Sequence, residues 1–296
     1  MIDYRLHVFR QVAVTGSLTR ASRVLHLSQP AVTKHIKLLE EELGVPLFVR
    51  SSSGVVPTDA GVVFLRHVVE TEGARARVLE KLRAPLGQLS GCVRLGASMT
   101  IASYYLADAL IRLKQKHPLV RCEVSEGNTE YIISLLLDQK IEAGLVEGPC
   151  RRREVRAQAF FEDEIIWIAS PKDELARVQR PSLSRMLARP IISREMGSGT
   201  RKVVEIFLRQ RGIVFSQLNI IQELRNTEAI KRMVLGGIAI AYVSRLSVHA
   251  ELARGSVVEV RCPEWQLTRP FSFVTAQGPD PSGVSRAFYG LLRNKG

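Results

Sequence analysis

The chain has 296 residues, 46% of them apolar and 24% charged, enough apolar material for two or three compact units of ordinary size. A formal net charge of +13 invites a polyanionic partner, yet residues 1–60 hold only seven Lys/Arg against five Asp/Glu, so charge alone does not place the binding surface. No apolar run approaches the ~18–20 residues of a membrane helix, and Cys92, Cys122, Cys150 and Cys262 show no C-x-x-C spacing, which argues against a membrane partner, a zinc site or a disulfide framework.

The first segment reads as short helices. Leu6, Phe9, Val12 and Ala13 fall on one face of a helix over Tyr4 to Val14. Gly16 ends it, and Ser17 is suited to cap a brief second helix from Leu18 to about Leu25. Leu27-Ser28-Gln29-Pro30 supplies a turn, a cap and a proline at a helix start; the third helix runs to about Leu43, with Val32, Ile36, Leu39 and Leu43 inward and Gly44 closing it. Leu47–Arg50 and Val55-Val56 flank the polar tip Ser51-Ser52-Ser53-Gly54, a hairpin signal. Thr58 can cap a long helix from Asp59 to about Arg83, broken near Pro85. Its stripe of Phe64, Leu65, Val68, Val69, Ala76, Leu79 and Leu82 could not be buried by a helix projecting alone, which predicts pairing with a second copy.

From Ser90 the texture becomes alternating strands and helices. Strands are expected at Cys92–Gly96, Arg121–Ser125, Glu142–Val146, Ile165–Ser170, Ile191–Ser193, Ile220–Glu223 and Ile238–Val243. Helices are expected at Tyr104–His117, Glu130–Leu137, Thr200–Arg211 and Thr227–Leu235. This alternation predicts parallel sheets covered by helices, in two α/β lobes with a cleft between them.

The segment Leu18 to Glu40 (LTRASRVLHLSQPAVTKHIKLLE), continued by Leu43-Gly44-Val45-Pro46-Leu47-Phe48-Val49-Arg50 and Pro57-Thr58-Asp59-Ala60-Gly61, closely resembles the helix-turn-helix of the LysR family of bacterial transcriptional regulators. The length, the long helix and the α/β remainder fit the same family, so the resemblance covers essentially the whole chain. The wing is less basic than in many members, and Pro57 stands where leucine is common. The resemblance implies an α/β fold class with an N-terminal winged helix-turn-helix over residues 1–58, a long dimerising linker helix over 59–89, and a two-lobed, periplasmic-binding-protein-like effector domain over 90–296. Lobe I would take about 90–163 and 268–296, and lobe II about 164–267. It further implies a homodimer joined through the linker helix, a homotetramer, double-stranded DNA and a small effector as partners, and possible contact with RNA polymerase. The segment Gly144 to Pro149 and the loop from Arg194 to Thr200 look most like members that sense small oxyanions or carboxylates.

The residues support that reading physically. The N-terminal residues of a recognition helix come nearest to base edges in the major groove. Here these are Gln29, Pro30, Thr33 and Lys34: a glutamine amide matches adenine, a lysine reaches guanine or a phosphate, and proline offers apolar contact to a thymine methyl. Ser17, Thr19 and Ser28 at helix starts are the expected phosphate contacts, Arg50 in the wing is expected at the backbone or the minor groove, and Arg20 and Lys37 complete the expected DNA-binding set. In the second half, strand-to-helix turns are where ligands collect in α/β folds. Ser98, Thr100, Asn128, Thr129, Arg194, Thr200 and Thr227 lie at such turns and are the expected seat of an anionic effector. An enzyme is not expected: G-x-S-x-G, a P-loop and H-E-x-x-H are all missing from the sequence, and no cofactor or metal is implied. The rival reading is a two-lobed α/β enzyme or solute-binding protein, which would lack residues 1–60. Arg151-Arg152-Arg153 reads as a phosphate patch or, more simply, a solvated loop. With no charged region followed by an apolar core at Met1 to Arg5, no secretory signal is expected, and the cytoplasm is the expected compartment.

Overall fold

The computed structural model describes residues 3–51, 54–83, 89–278 and 281–293, and the chain divides into two compact units, Met1–Gly87 and Gln88–Gly296. The first unit opens with helices α1 (Tyr4–Thr15), α2 (Leu18–Leu25) and α3 (Gln29–Leu43), followed by the antiparallel hairpin β1 (Phe48–Ser51) and β2 (Gly54–Pro57) and by helix α4 (Asp59–Arg83). The caps foreseen in the sequence are made. Gly16 and Gly44 close α1 and α3 in the left-handed conformation, and the Ser17 and Ser28 side chains accept the Arg20 and Ala31 N–H groups. His26 is also left-handed, with φ at 54°, and the Leu27 N–H returns to the Ser22 carbonyl at 2.9 Å. That bond turns the chain sharply from α2 into α3.

The core of this unit is Val8, Phe9, Val12, Ala21, Val32, Ile36, Leu39, Leu47 and Val68. Leu43, expected inside, is exposed at the last residue of α3, whereas Val8 is fully buried. Phe64, Leu65 and Val68 pack into the core of their own unit, so the first part of the apolar stripe needs no second copy. What stays exposed is Val62, Val63, Val78 and Leu82, the last 68% accessible. Ser52 and Ser53 at the hairpin tip, the side chains of Ala76 and Leu79, and the break near Pro85 lie outside the described residues.

The second unit carries β3 (Gly91–Ser98), α5 (Met99–Tyr104), α6 (Leu106–Lys116), β4 (Val120–Gly127), α7 (Thr129–Leu137), β5 (Ala143–Glu147) and β6 (Val155–Ala169). It continues with α8 (Leu183–Leu187), β7 (Ile191–Arg194), α9 (Gly199–Arg209), β8 (Ile220–Leu224), α10 (Thr227–Leu235), β9 (Ile240–Ser244) and α11 (His249–Ala253), and closes with β10 (Val258–Val260), β11 (Thr268–Ala276) and α12 (Gly283–Arg293). The sheet runs β4-β3-β5-β11-β6-β9-β7-β8, with β10 paired to β6. Each end is parallel, as expected: β3 pairs with β4 and β5, and β7 with β8 and β9. The middle is antiparallel, through β11 with β5 and β6 and β6 with β9, which makes the sheet mixed rather than purely parallel. Strand β6 leaves the first lobe, β11 returns to it, and the two lie side by side between separate cores. One core gathers Leu95, Ile101, Leu113, Phe271 and Phe288; the other gathers Trp167, Phe207, Tyr242 and Trp265.

Several boundaries differ from expectation. The helix placed at Tyr104–His117 begins at Met99 and is broken at Tyr105, where φ is −134°. Strand β6 starts ten residues before Ile165; its first half is mostly exposed and offers no apolar run to read. Strand β11 and helix α12 were not assigned as elements from the sequence.

Candidate functional site

In the helix-turn-helix unit, Thr19, Arg20, Ser28, Gln29, Pro30, Thr33, Lys34, Lys37 and Arg50 are all exposed, and Ser17 is half-buried beneath them. The opposite side of α3 buries Val32, Ile36 and Leu39, so the amphipathic period of one helix separates core from polar face. Thr19 Oγ1 donates to Gln29 Oε1 across the α2–α3 turn at 3.4 Å. The Thr33 hydroxyl is turned back to the Gln29 carbonyl at 3.0 Å. Lys37 meets Glu41 at 3.7 Å, both largely exposed, a pairing weak enough for a phosphate to displace. The hairpin is fastened at both ends. Glu40 Oε1 accepts the Leu47 N–H at 2.7 Å and the Phe48 N–H at 3.2 Å, and the Val55 N–H donates to the Gly16 carbonyl at 2.9 Å. Gly54 sits at φ +127°, and a Cβ there would come within 2.5 Å of the Gly16 oxygen, so only glycine lets the wing dock.

In the second unit the strand-to-helix turns converge on a buried polar knot. Glu147, at the end of β5, is 2% exposed and Arg269 on β11 is 1% exposed. Arg269 Nη1 donates to Glu147 Oε2 and, at 2.7 Å, to Thr200 Oγ1, while its Nε donates to Asp163 Oδ2 at 2.8 Å. The register explains the last contact, since Arg269 lies directly opposite Asp163 in the β11–β6 ladder. Glu147 Oε1 accepts the Thr100 N–H at 2.8 Å, its Oε2 accepts the Thr200 hydroxyl at 3.1 Å, and Ser244 Oγ holds the free oxygen of Asp163 at 2.7 Å. Burial would raise the Glu147 carboxyl, but the charges of Arg269 and Arg194 and the Thr100 N–H outweigh it and hold it at about 2. Asp163 is pushed up by burial. Two buried groups in this region have no hydrogen-bond partner among the described residues: Ser98 Oγ and Arg269 Nη2.

The structure therefore brings Thr100 and Thr200 onto one carboxylate, with the Thr129 hydroxyl 3.3 Å from the Glu147 carbonyl. A Cβ at Gly199 would stand 2.2 Å from that same carbonyl, which is why β5 and the start of α9 approach so closely. Arg194 is buried with both Nε and Nη2 on Glu195. Asn128 caps α7 through its oxygen and reaches the Met196 carbonyl through its nitrogen at 3.3 Å, and the Glu130 N–H donates to the Gly197 carbonyl at 3.2 Å. These two bonds join the lobes on one side. On the other, Tyr104 of α5 donates to Glu228 of α10, which also meets the buried Lys231; Thr227, at the start of α10, is buried just beside this contact. Glu147, Asp163, Ser244 and Arg269 were not singled out from the sequence. Glu147 carried a signal, a lone carboxylate closing an otherwise apolar strand; Arg269 carried none, because its strand had not been recognised. Among the described residues no group of three His, Cys, Asp or Glu could hold a metal ion, and no helix is long and apolar enough to cross a membrane.

Residues 4–62 match the family model of the bacterial regulatory helix-turn-helix proteins of the lysR family, and residues 86–296 match that of the LysR substrate binding domain. The uncharacterized HTH-type transcriptional regulator YeiE of Escherichia coli is 35% identical over 266 residues, 90% of this chain and 88% of its own length. Full-length OxyR of Pseudomonas aeruginosa superposes over 99% of this chain and 95% of its own with a TM-score of 0.78 at 19% identity. The Synechocystis CcmR regulatory domain, in complex with 2-PG, covers 69% of this chain and 96% of its own with a TM-score of 0.63 at 24% identity. The chain belongs to the LysR family of transcriptional regulators, with a DNA-binding helix-turn-helix followed by an effector-binding domain.

Proposed function

We propose that the regulator reads an interrupted palindrome with Gln29, Pro30, Thr33 and Lys34, anchored on phosphates by Ser17, Thr19, Arg20, Ser28, Lys37 and Arg50, and is switched by a small oxyanion or carboxylate held between the lobes. The exposure of all the base-reading residues on one face of α3 supports the first part. The observation that carries the second is the pair of unpartnered buried donors, Ser98 Oγ and Arg269 Nη2, beside the Glu147 knot. A buried donor without an acceptor costs about 1–3 kcal/mol, and an effector oxygen would relieve it. The charges limit the effector. Arg269 already faces two carboxylates, Glu147 and Asp163, and Arg194 faces Glu195, so the seat has no spare positive charge and suits at most a single negative one. Thr100, Thr200 and Arg194 shape this seat, with Asn128, Thr129 and Thr227 at its margins; that the CcmR domain holds 2-PG accords with a small oxygen-rich ligand.

The domain limits follow the same reading: residues 1–58 as the DNA head, 59–89 as the dimerising helix through the exposed Val62, Val63, Val78 and Leu82, and 90–296 as the sensor. Two dimers joined through their sensors would form a tetramer working in the cytoplasm and contacting RNA polymerase. The effector can shift DNA geometry only by its differential affinity for two lobe arrangements. Titrating acetate, formate and nitrate, each singly charged, into the full chain, with wild type and Ser98→Ala compared by calorimetry, tests the seat. A ligand bound equally by both proteins removes Ser98 from it.

A further inference from the structure

We infer that the groove between α7 and α9 is a second ligand site, built for a small organic dianion and separate from the buried seat. The groove encloses about 500 Å³, a volume within the range of metabolite-sized sites. Its charge is unbalanced. Arg201 is spent on Glu205 and Glu223, and Glu147 on Arg269. That leaves Arg151, Arg152 and Lys202 facing the carboxylate of Glu130 along the lining. The side chains of those three cations make no ion pair or hydrogen bond among the described residues. Ile133, Pro149 and Ile206 supply an apolar wall. Burial pushes the Cys150 thiol up, so it joins that wall as a neutral group. Three uncommitted cations against Glu130 and the second carboxylate on Arg201, beside an apolar wall, select a body of a few carbons bearing carboxylate or phosphate groups: a dicarboxylate or a phosphate monoester. A merely solvated basic loop would have neither the concavity nor the apolar side.

Of the buried seat and its margins only Glu147 and Thr129 reach the lining of this groove; Ser98, Thr100, Asn128, Arg194, Thr200, Thr227 and Arg269 do not. It is also placed to act on the lobes. Glu130, Met196 and Gly197 line it and take part in the bonds that join α7 of one lobe to the start of α9 in the other. An occupant held by Arg151 and Arg152 on the crossover segment and by Lys202 on α9 would fasten that edge, and it would then favour the closed arrangement by its differential affinity.

The test uses the full chain, with succinate, glycerol 3-phosphate and inorganic phosphate titrated by calorimetry into wild type, Arg151→Gln/Arg152→Gln and Ser98→Ala. Arg151 and Arg152 are exposed, so the double variant keeps the fold. Succinate or glycerol 3-phosphate is expected to bind with a submillimolar Kd, and whichever binds identifies carboxylate or phosphate as the favoured group. The double variant should weaken that binding about tenfold or more, the loss of two charge-assisted contacts, while Ser98→Ala leaves it unchanged. No binding of either organic probe, equal binding by the double variant, loss on Ser98→Ala, or inorganic phosphate binding as tightly as the organic dianions would each overturn the proposal. Such a result would leave the DNA reading intact, because that is carried by the other unit.

Discussion

Removing the Glu147 carboxylate is the perturbation that most directly tests how the sensor is held together. Glu147→Ala strips the Thr100 N–H, the Thr200 hydroxyl and Arg269 Nη1 of one shared acceptor. Breaking a buried pair by deleting one partner costs about 3–5 kcal/mol, because the remaining charge is stranded. Arg269 keeps Asp163 at 2.8 Å and Thr200 at 2.7 Å, which places the loss at the lower end, about 3 kcal/mol. For a unit of this size that is a fall in Tm of about 10 °C. The assay is direct: the protein has two tryptophans, and Trp167 and Trp265 are both buried in the sensor core, so intrinsic fluorescence follows that unit and not the DNA head. Added sulfate should recover part of the loss in Glu147→Ala and do less for wild type, since an external anion can occupy the vacated position and stabilises the folded state in proportion to its binding. A variant melting within about 1 kcal/mol of wild type, with no greater response to sulfate, would refute the load assigned to this knot.

Gln29→Ala should cost about 1–3 kcal/mol at the preferred DNA site and blur the sequence preference at one position, measured by competition binding at fixed salt. Lys34→Ala should weaken all sequences more evenly and flatten the salt dependence if Lys34 sits on a phosphate. Gly54→Ala should lower the stability of the head by about 1–3 kcal/mol through strain at a positive φ and collision with Gly16, seen as a lower Tm of the head with the sensor transition unmoved. Ser98→Ala should leave the ligand-free sensor as stable as wild type or slightly more so, since Ser98 Oγ has no partner to lose, yet weaken the effector response. Glu147 is held at about 2 against an ordinary value of 4.5. Its contribution is therefore complete above 4.5 and lost as pH falls towards 2, and wild type should lose stability to acid faster than Glu147→Gln.

Much of the head was legible because its signals are local. Gly16, Ser17, Ser28, Pro30 and Gly44 mark helix ends by their own backbone and side-chain chemistry, and the three helices end at or within a residue of where those markers stand. Leu43 misled because the apolar period continues one turn beyond the core it serves. The linker stripe was visible, but not its division between the head's own core and an exposed remainder, which depends on how α4 folds back. In the sensor, the strand-to-helix turns were read from Ser, Thr and Asn at helix starts, whereas the groups that tie those turns together were not. Glu147 and Arg269 are separated by 122 residues, and no local pattern announces that a buried arginine will meet a carboxylate from another strand.

Selection of genomic DNA by the purified full chain asks whether a sequence-reading head is governed by a ligand-binding sensor. Wild type should enrich an interrupted palindrome that is lost when Gln29 and Lys34 are both replaced by alanine, with enrichment changing when small oxyanions are present. Enrichment of no sequence at low salt, or of the same sequence by the double variant, would contradict it.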